Sequence, residues 1–290
     1  MKRLAPALTG GLVTAMLSWR LLGVMLLANL AFALVAVVPV AWALDQVLSP
    51  LGDWQGVLQT WPAWLDADIQ AHSSGTLGVF RQQAALLVLL FTLLSTFLSA
   101  GAMGVLHDAD GAFSLGSFFR GCGRYGFSFL RLLGVFALAA WLLAWLAGAQ
   151  LGELVSSLQF DWPSQRGATL FTVAHQTLVV GLFYLLVWAT EMGRIRLVVE
   201  KRRSAVGSFL AGVSVTGRKL ASVVSLFGTL ALLQMAFLVA AGWLIQRWTP
   251  DSTAELILLF VAGQVVIAGR IAFRLARLES GRRWYLQDPV

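Results

Sequence analysis

Two sets of arginines have the spacing of a single helical face and could bind phosphate groups. Arg270, Arg274 and Arg277 follow one another at i, i+4 and i+7, so a helix would align their side chains. The second set consists of Arg120, Arg124 and Arg131, which fall within about 40° of one another on a helical wheel. A guanidinium binds phosphate oxygens through paired hydrogen bonds. Both sets therefore predict contacts with acidic lipid headgroups or with a partner protein, with simple anchoring at the membrane surface as the alternative.

Four polar residues interrupt apolar stretches of the chain, where an unpaired polar group is costly. They are His175, Glu191, Gln234 and Gln264. The two glutamines are expected near the middle of their helices, where their amides could share a hydrogen bond. His175 is interpreted as a buried, hydrogen-bonded histidine, with a proton relay as the alternative. Glu191 precedes Arg194 by three residues, which predicts a helical ion pair.

The sequence offers little for catalysis. Its three histidines are predicted on the outer side (His72), on the inner side (His107) and within the membrane (His175), so they are not expected to form a cluster. The stretch HDADG, beginning at His107, is a weak candidate for a metal site because it lacks a second, spaced pair of aspartates. The chain also has no glycine-rich phosphate loop with its lysine. We therefore predict a protein without catalytic activity, metal or cofactor.

The elements that must position these residues are apolar helices. Hydrophobic residues make up 58% of the chain and charged residues 12%, against about 25% charged residues in soluble domains. Crossing a bilayer takes about 20 apolar residues in a helix. Six runs are long enough: 21–44, 84–106, 131–149, 168–190, 221–245 and 255–275. The sequence predicts an all-α, polytopic membrane domain that covers residues 1–290, with residues 4–18 as a further helix at the membrane surface.

The distribution of charge predicts the orientation of these spans. With the N-terminus inside, 18 of the 21 Lys and Arg residues fall on the inner side and 3 on the outer side. The positive-inside rule then places both termini in the cytoplasm and the chain in a cell (inner) membrane. The net charge of +7 follows from this topology, so we do not expect nucleic acid as a partner. The expected partner is the bilayer itself, with acidic lipid on its cytoplasmic leaflet.

A short motif recurs in the two inner segments that connect spans. GSFFRGCGRYG begins at Gly116 and GSFLAGVSVTG at Gly207, and five positions agree at an offset of 91 residues. Each segment lies between two spans, so the repeated unit is span, cytoplasmic interfacial segment, span. We predict a parallel repeat of about 80–149 and 171–240. The apolar face of the first segment, which includes Phe118, Tyr125 and Phe129, is expected to lie in the acyl chains.

The stretch LVVEKRRSAVGSFLAGVSVTGRKLASVVSL, residues 197–226, resembles the second cytoplasmic segment of a broad group of six-span bacterial membrane proteins of unknown role. That group includes the membrane domain attached to some glycerophosphodiester phosphodiesterases. The resemblance implies a fold and a membrane setting rather than an activity. Two functions remain: a non-enzymatic, lipid-associated or scaffold component of an envelope complex, or a six-span transport permease that works with a separate ATPase or an ion gradient.

Overall fold

The computed structural model describes residues 4–48, 74–107, 113–160, 165–202, 204–248 and 252–287, and no strand occurs among them. The helices of this part of the chain are α1 (Leu4–Leu17), α2 (Trp19–Leu48), α3 (Ser74–His107), α4 (Leu115–Leu143), α5 (Leu151–Phe160), α6 (Gln165–Val199), α7 (Ala205–Arg218), α8 (Leu220–Gln246) and α9 (Thr253–Gln287). A π-helical segment, Ala144–Gln150, joins α4 to α5.

Six stretches of helix are long and apolar enough to cross a membrane, which confirms the predicted architecture. They are Trp19–Pro39, Gln82–His107, Leu115–Ser157, Arg166–Val199, Leu220–Gln246 and Thr253–Gln287. The third stretch includes α4, the π-helical segment and α5. Several helices extend well beyond the apolar runs read from the sequence, because residues between the spans continue the helices instead of forming loops.

The chain forms two compact units. One comprises Met1–Leu22 with Thr96–Val290, and the other is Gly23–Ser95. Within the smaller unit, α2 and α3 meet through the rings of Phe32 and Phe91, whose centroids lie 5.5 Å apart. The candidate site lies in the larger unit, and the following paragraphs describe that unit.

The buried core of the larger unit lies at one end of its spans. Buried residues begin at Ala189 in α6 and at Ile271 in α9, and α8 contributes Val223 to Leu230. The preceding parts of α6 and α9 expose apolar side chains such as Leu178 and Val265, which suits contact with lipid. We call the end with this core the basic end, because most of the Lys and Arg residues lie there.

Two short helical segments pack on long helices through small residues. A Cβ on Gly212 of α7 would lie 2.8 Å from the backbone nitrogen of Gly193 in α6. In α4, Gly121 meets α3, where a Cβ on Gly104 would lie 2.7 Å from the Gly121 Cα. Such positions let two helix backbones approach closely. One recurring glycine pair of the motif, Gly121 and Gly212, therefore marks the points at which each segment docks on the helix before it.

The two segments also begin alike but continue differently. Ser114 caps α4 by accepting from the Ser117 backbone N–H at 3.0 Å, and Ser204 caps α7 by accepting from Gly207 at 3.1 Å. α4 then runs on without a break into its span, whereas α7 ends at an elbow at Lys219, from which α8 starts. The caps are 90 residues apart although the motif glycines are 91 apart. The duplication of an ancestral unit stays a prediction.

α1 packs along the last part of α9. Its buried residues, Ala7, Gly11 and Ala15, are all small and recur every fourth position. A Cβ on Gly11 would lie 2.8 Å from the backbone nitrogen of Ser280, so only glycine fits without movement. The helix predicted over residues 4–18 is therefore present, and one of its faces is buried against α9.

Candidate functional site

The first set of predicted arginines lies on an exposed surface of α4. Arg120, Arg124 and Arg131 are all exposed. The Arg131 guanidinium carbon lies 4.4 Å from the centroid of the Phe127 ring, within range of a cation–π interaction. Phe127 is itself exposed, so this surface offers both apolar rings and positive charges. That combination suits the boundary between acyl chains and headgroups.

The opposite face of α4 is buried in the protein, which corrects the expectation that it lies in the acyl chains. Phe118, Tyr125 and Phe129 expose 1%, 6% and 0% of their surface. The reason is the close approach of α3 at Gly101, where a Cβ would meet the Phe118 ring. α4 also contacts α6 and α7. The apolar face predicted from the sequence exists, but protein covers it instead of lipid.

The second set of arginines meets two residues of α6 at the basic end. Arg274 of α9 interacts electrostatically with Arg194, Glu191, Arg277 and Arg270. Gly281 of α9 fixes the register of α9 against α6. The side chains of Ile195 and Met192 in α6 pack on this glycine, where a Cβ would collide with them. Arg270 is exposed, whereas Arg274 and Arg277 are half-buried. We call Glu191, Arg194, Arg274 and Arg277 the arginine cluster.

Several polar atoms of the arginine cluster are buried without a hydrogen-bond partner. They are the Nε atoms of Arg194 and Arg277 and the Oε2 atom of Glu191. The Arg194 guanidinium carbon lies 5.9 Å from the centroid of the buried Phe129 ring, so an apolar side chain borders the cluster. The charge of Glu191 attracts Arg194 and the charge of Arg277 repels it. No salt bridge joins Glu191 to Arg194 in the described part of the chain, so their predicted ion pair stays a prediction. Buried polar groups are normally satisfied, so these atoms suit a ligand that carries hydrogen-bonding oxygens.

The two glutamines do not meet, and the predicted bond between them is wrong. The Oε1 atom of Gln234 is buried without a hydrogen-bond partner. α8 and α9 meet where the Phe237 ring of α8 packs on Gly269 of α9. The ring occupies the space that a Cβ at Gly269 would need. Gln234 lies three residues from Phe237 towards the basic end, and Gln264 lies five residues from Gly269 towards the opposite end. At 1.5 Å per residue the two amides are offset by about 12 Å along the helices.

His175 contacts a carbonyl in the π-helical segment. Its Nε2 atom lies 2.7 Å from the Ala147 carbonyl oxygen. A carbonyl can only accept, so this contact assigns the ring proton to Nε2. The structure thus supports the reading of His175 as a hydrogen-bonded histidine within the spans. The π-helical segment itself could not be predicted, because Ala144–Gln150 has the composition of any apolar helix.

Two ionic networks at the basic end were not singled out from the sequence. Glu279, which is 1% exposed, accepts from Arg282 at 2.8 and 2.9 Å and from Arg283 at 2.7 Å. Arg283 in turn donates to the Thr14 hydroxyl at 2.7 Å and so joins α9 to α1. Glu279 precedes Arg282 by three residues and Arg283 by four, and this helical spacing is enough to predict the two ion pairs from the sequence.

The second network surrounds Glu200, just beyond the end of α6. Glu200 pairs with Arg196 at 2.8 Å and also binds Arg202 and the Tyr285 hydroxyl. Partial burial raises the pKa of the Glu200 carboxyl, but the hydrogen bonds from Tyr285, Arg196 and Arg202 outweigh it and bring the pKa below its ordinary value. Tyr285 belongs to α9, so this network fastens the end of α6 to the end of α9.

An apolar groove opens between α6 and α8. Its volume is about 890 Å³, and its lining includes Gly181, Trp188, Gly228 and Met235. The groove follows the exposed, apolar part of the spans, where acyl chains would fill it in a bilayer.

No family model, curated protein or solved structure matches this chain. The resemblance of residues 197–226 to six-span bacterial membrane proteins therefore stays a prediction. The weak metal candidate at HDADG lies outside the described residues apart from His107. The described helices define a polytopic, all-helical membrane protein.

Proposed function

We propose that this protein is a non-enzymatic component of a bacterial inner membrane that binds acidic phospholipid at its basic end. In this proposal the basic end faces the cytoplasm, in keeping with the distribution of Lys and Arg along the chain. The protein would hold lipid, or order it around a membrane complex, without changing it chemically.

The observation that carries the proposal is a pair of unsatisfied hydrogen-bond donors in the arginine cluster. The Nε atoms of Arg194 and Arg277 are buried without a hydrogen-bond partner. Buried guanidiniums are stable when an anion accepts their hydrogen bonds. Basic pockets between spans on the cytoplasmic side are typical sites for acidic lipid headgroups.

The exposed arginines of α4 support the same proposal from a second surface. Arg120, Arg124 and Arg131 are exposed, and the Arg131 guanidinium lies over the exposed Phe127 ring. Each such charge contributes about 1 kcal/mol of attraction to an acidic leaflet. This surface would attract acidic lipid generally, whereas the arginine cluster would hold a headgroup in place.

The test is the amount of acidic phospholipid that stays bound through purification in mild detergent. Two triple variants replace Arg120, Arg124 and Arg131, or Arg270, Arg274 and Arg277, by Gln, and two further variants replace the same sets by Lys. We expect Lys to preserve lipid at the exposed α4 set, where charge suffices, and to lose it at the α9 set, where the planar guanidinium is needed. Size-exclusion profiles and melting temperatures verify that each variant is folded. Full retention of acidic lipid by both Gln variants would overturn the proposal.

A second function, transport, is favoured by one observation. The π-helical segment interrupts the regular hydrogen bonding of the third span, and His175 of the fourth span contacts it. Such interruptions recur at functional positions of membrane helices. A permease would need a substrate path beside His175, so cysteines placed next to this contact should react with water-soluble reagents. Labelling no faster than at lipid-facing positions such as Val173 would exclude a water-filled path there.

A further inference from the structure

We propose that the two motif segments, α7 and the first turns of α4, each insert an outward apolar stripe into the lipid leaflet at the basic end. The stripe of α7 consists of Val206, Leu210 and Val213, which fall within about 60° of one another on a helical wheel. The partner is the apolar part of the bilayer. The inference goes beyond the proposed function, because it needs neither the arginine cluster nor acidic lipid.

The stripe of α7 is separate from the face by which α7 docks on α6. The docked face includes the motif residues Phe209 and Gly212, which are buried. Val206 and Leu210 instead expose 55% and 60% of their surface. The protein therefore leaves a second apolar face of α7 uncovered.

The same stripe recurs on the first segment at the offset of 91 residues. Leu115 and Phe119 of α4 correspond to Val206 and Leu210, and they expose 54% and 63% of their surface. The third position of the stripe is a half-buried cysteine in α4. None of these residues belongs to the five matching positions of the motif, so the outward stripe is a further feature that the two segments share.

Both segments cross their neighbouring helix where an apolar span ends. Gly212 of α7 packs on Ala189 and Gly193 of α6, whose apolar run ends at residue 190. Gly121 of α4 packs on Gly104 of α3, whose apolar run ends at residue 106. The segments are thus level with the edge of the hydrocarbon, which is the depth at which surface helices bury an apolar face.

The surroundings of the α7 stripe favour lipid over a soluble protein. Beyond the elbow at Lys219, the exposed apolar residues continue with Leu220 and Val224, and Val224 also lines the groove between α6 and α8. These two residues belong to a span, so acyl chains can cover the whole surface and a soluble partner cannot. Ser214 and Arg218 are exposed on another side of α7, about 70° and 110° from the middle of the stripe, which suits contact with headgroups and water.

The experiment measures, by electron paramagnetic resonance, which molecules collide with a spin label on each side of the segments. Single cysteines are introduced as L210C, F119C and S214C in the full chain with Cys122 replaced by Ala. The labelled proteins are placed in phosphatidylcholine vesicles with molecular oxygen, which concentrates in acyl chains, and a nickel chelate, which stays in water. We expect the ratio of oxygen collisions to chelate collisions to be about threefold or more higher at L210C and F119C than at S214C.

Two positions give the reference values. S214C is the matched control, because Ser214 is exposed and lies one turn from Leu210 in the same helix. L178C places the label on the exposed, apolar part of the α6 span and gives the value for a label in lipid. Size-exclusion profiles and melting temperatures verify that each labelled protein is folded.

Two outcomes would overturn the inference. Chelate collisions as frequent at L210C or F119C as at S214C would place that stripe in water. Protection of either label from both oxygen and the chelate would indicate that protein, such as a second copy of the chain, covers the stripe. Because the vesicles contain only neutral lipid, either failure would leave the proposed binding of acidic lipid intact.

Discussion

Gly212 of the motif helix α7 packs directly on Gly193 of the long helix α6. A Cβ on Gly212 would lie 2.8 Å from the Gly193 nitrogen and closer still to the Ala189 carbonyl oxygen. A Cβ on Gly193 would lie 3.1 Å from the Ser208 carbonyl oxygen. The contact is therefore reciprocal, and it pairs two small-residue steps, Ala189 to Gly193 and Ser208 to Gly212, each four residues long.

The first prediction concerns this contact. G212A should destabilise the protein by about 1–3 kcal/mol, because the added methyl group meets backbone atoms that cannot move separately. Its control is G217A in the same helix, where a Cβ would have nothing within 4 Å. G217A should be neutral or slightly stabilising, since alanine favours a helix over glycine. Thermal unfolding in detergent measures both, and equal melting temperatures for the two variants would contradict the docking role of Gly212.

The second prediction concerns the buried carboxylate of Glu279. E279Q should cost about 3 kcal/mol, because it leaves the largely buried Arg282 without its counter-charge and removes one partner of the more exposed Arg283. Arg283 also bonds Thr14, so α1 should loosen from α9 and become sensitive to protease. E153Q replaces an exposed glutamate of α5 and serves as the control. If protease cleaves α1 in E279Q no faster than in the E153Q control, the network does not hold α1.

The third prediction is a dependence on pH that originates at Glu200. The pKa of its carboxyl is lowered in the folded protein from an ordinary value of 4.5. A lowered folded pKa stabilises the protein above the unfolded pKa, and this contribution is lost as the pH falls through the folded value. The free energy of unfolding, measured from about pH 6 to about pH 3, should therefore fall less steeply in E200Q than in the wild type. Y285F removes one of the three hydrogen bonds and should give an intermediate slope.

The fourth prediction is the topology. In a background with Cys122 replaced by Ala, a cysteine at Thr253 should react with a membrane-impermeant maleimide in intact cells. A cysteine at Gln287 should react only after the membrane is permeabilised, since 18 of 21 basic residues fall on its side. Both positions are exposed, so access from the solvent decides the result. The reverse labelling pattern would place the basic end outside the cell. It would contradict the proposal that this end binds lipid of the cytoplasmic leaflet.

The sequence predicted much of this fold, for reasons that the structure makes clear. Length and apolar composition are properties of single helices, so the six spans could be read directly. Contacts between helices depend on register, which composition does not encode. Gln234 and Gln264 were placed at similar depths, yet the contact of Phe237 with Gly269 separates them. The apolar face of α4 was recognised, but whether lipid or protein covers it depends on the close approach of Gly101.

The candidate site was predicted in part for the same reason. The row Arg270, Arg274 and Arg277 follows from spacing within one helix. Its meeting with Glu191 and Arg194 of α6 depends on how two separate helices pack, which Gly281 fixes through Ile195. The π-helical segment has no signal in its composition, since it is a change of hydrogen bonding within an apolar stretch.

The last prediction concerns His175 and that segment. The Nε2 proton of His175 is donated to the Ala147 carbonyl at 2.7 Å, so the imidazole bridges the third and fourth spans. H175L should lower the free energy of unfolding by about 1 kcal/mol, the net value of one hydrogen bond. H175Q places an amide donor at a position similar to Nε2 and should recover at least half of the loss. Q176L changes the exposed neighbour and should have little effect, which separates the bond from the general consequences of a more apolar span.

Because a leucine could also stabilise the span by its apolarity, the comparison that decides is between H175Q and H175L. If those two variants melt at the same temperature, the bond to Ala147 contributes nothing, and the π-helical segment holds its shape without His175.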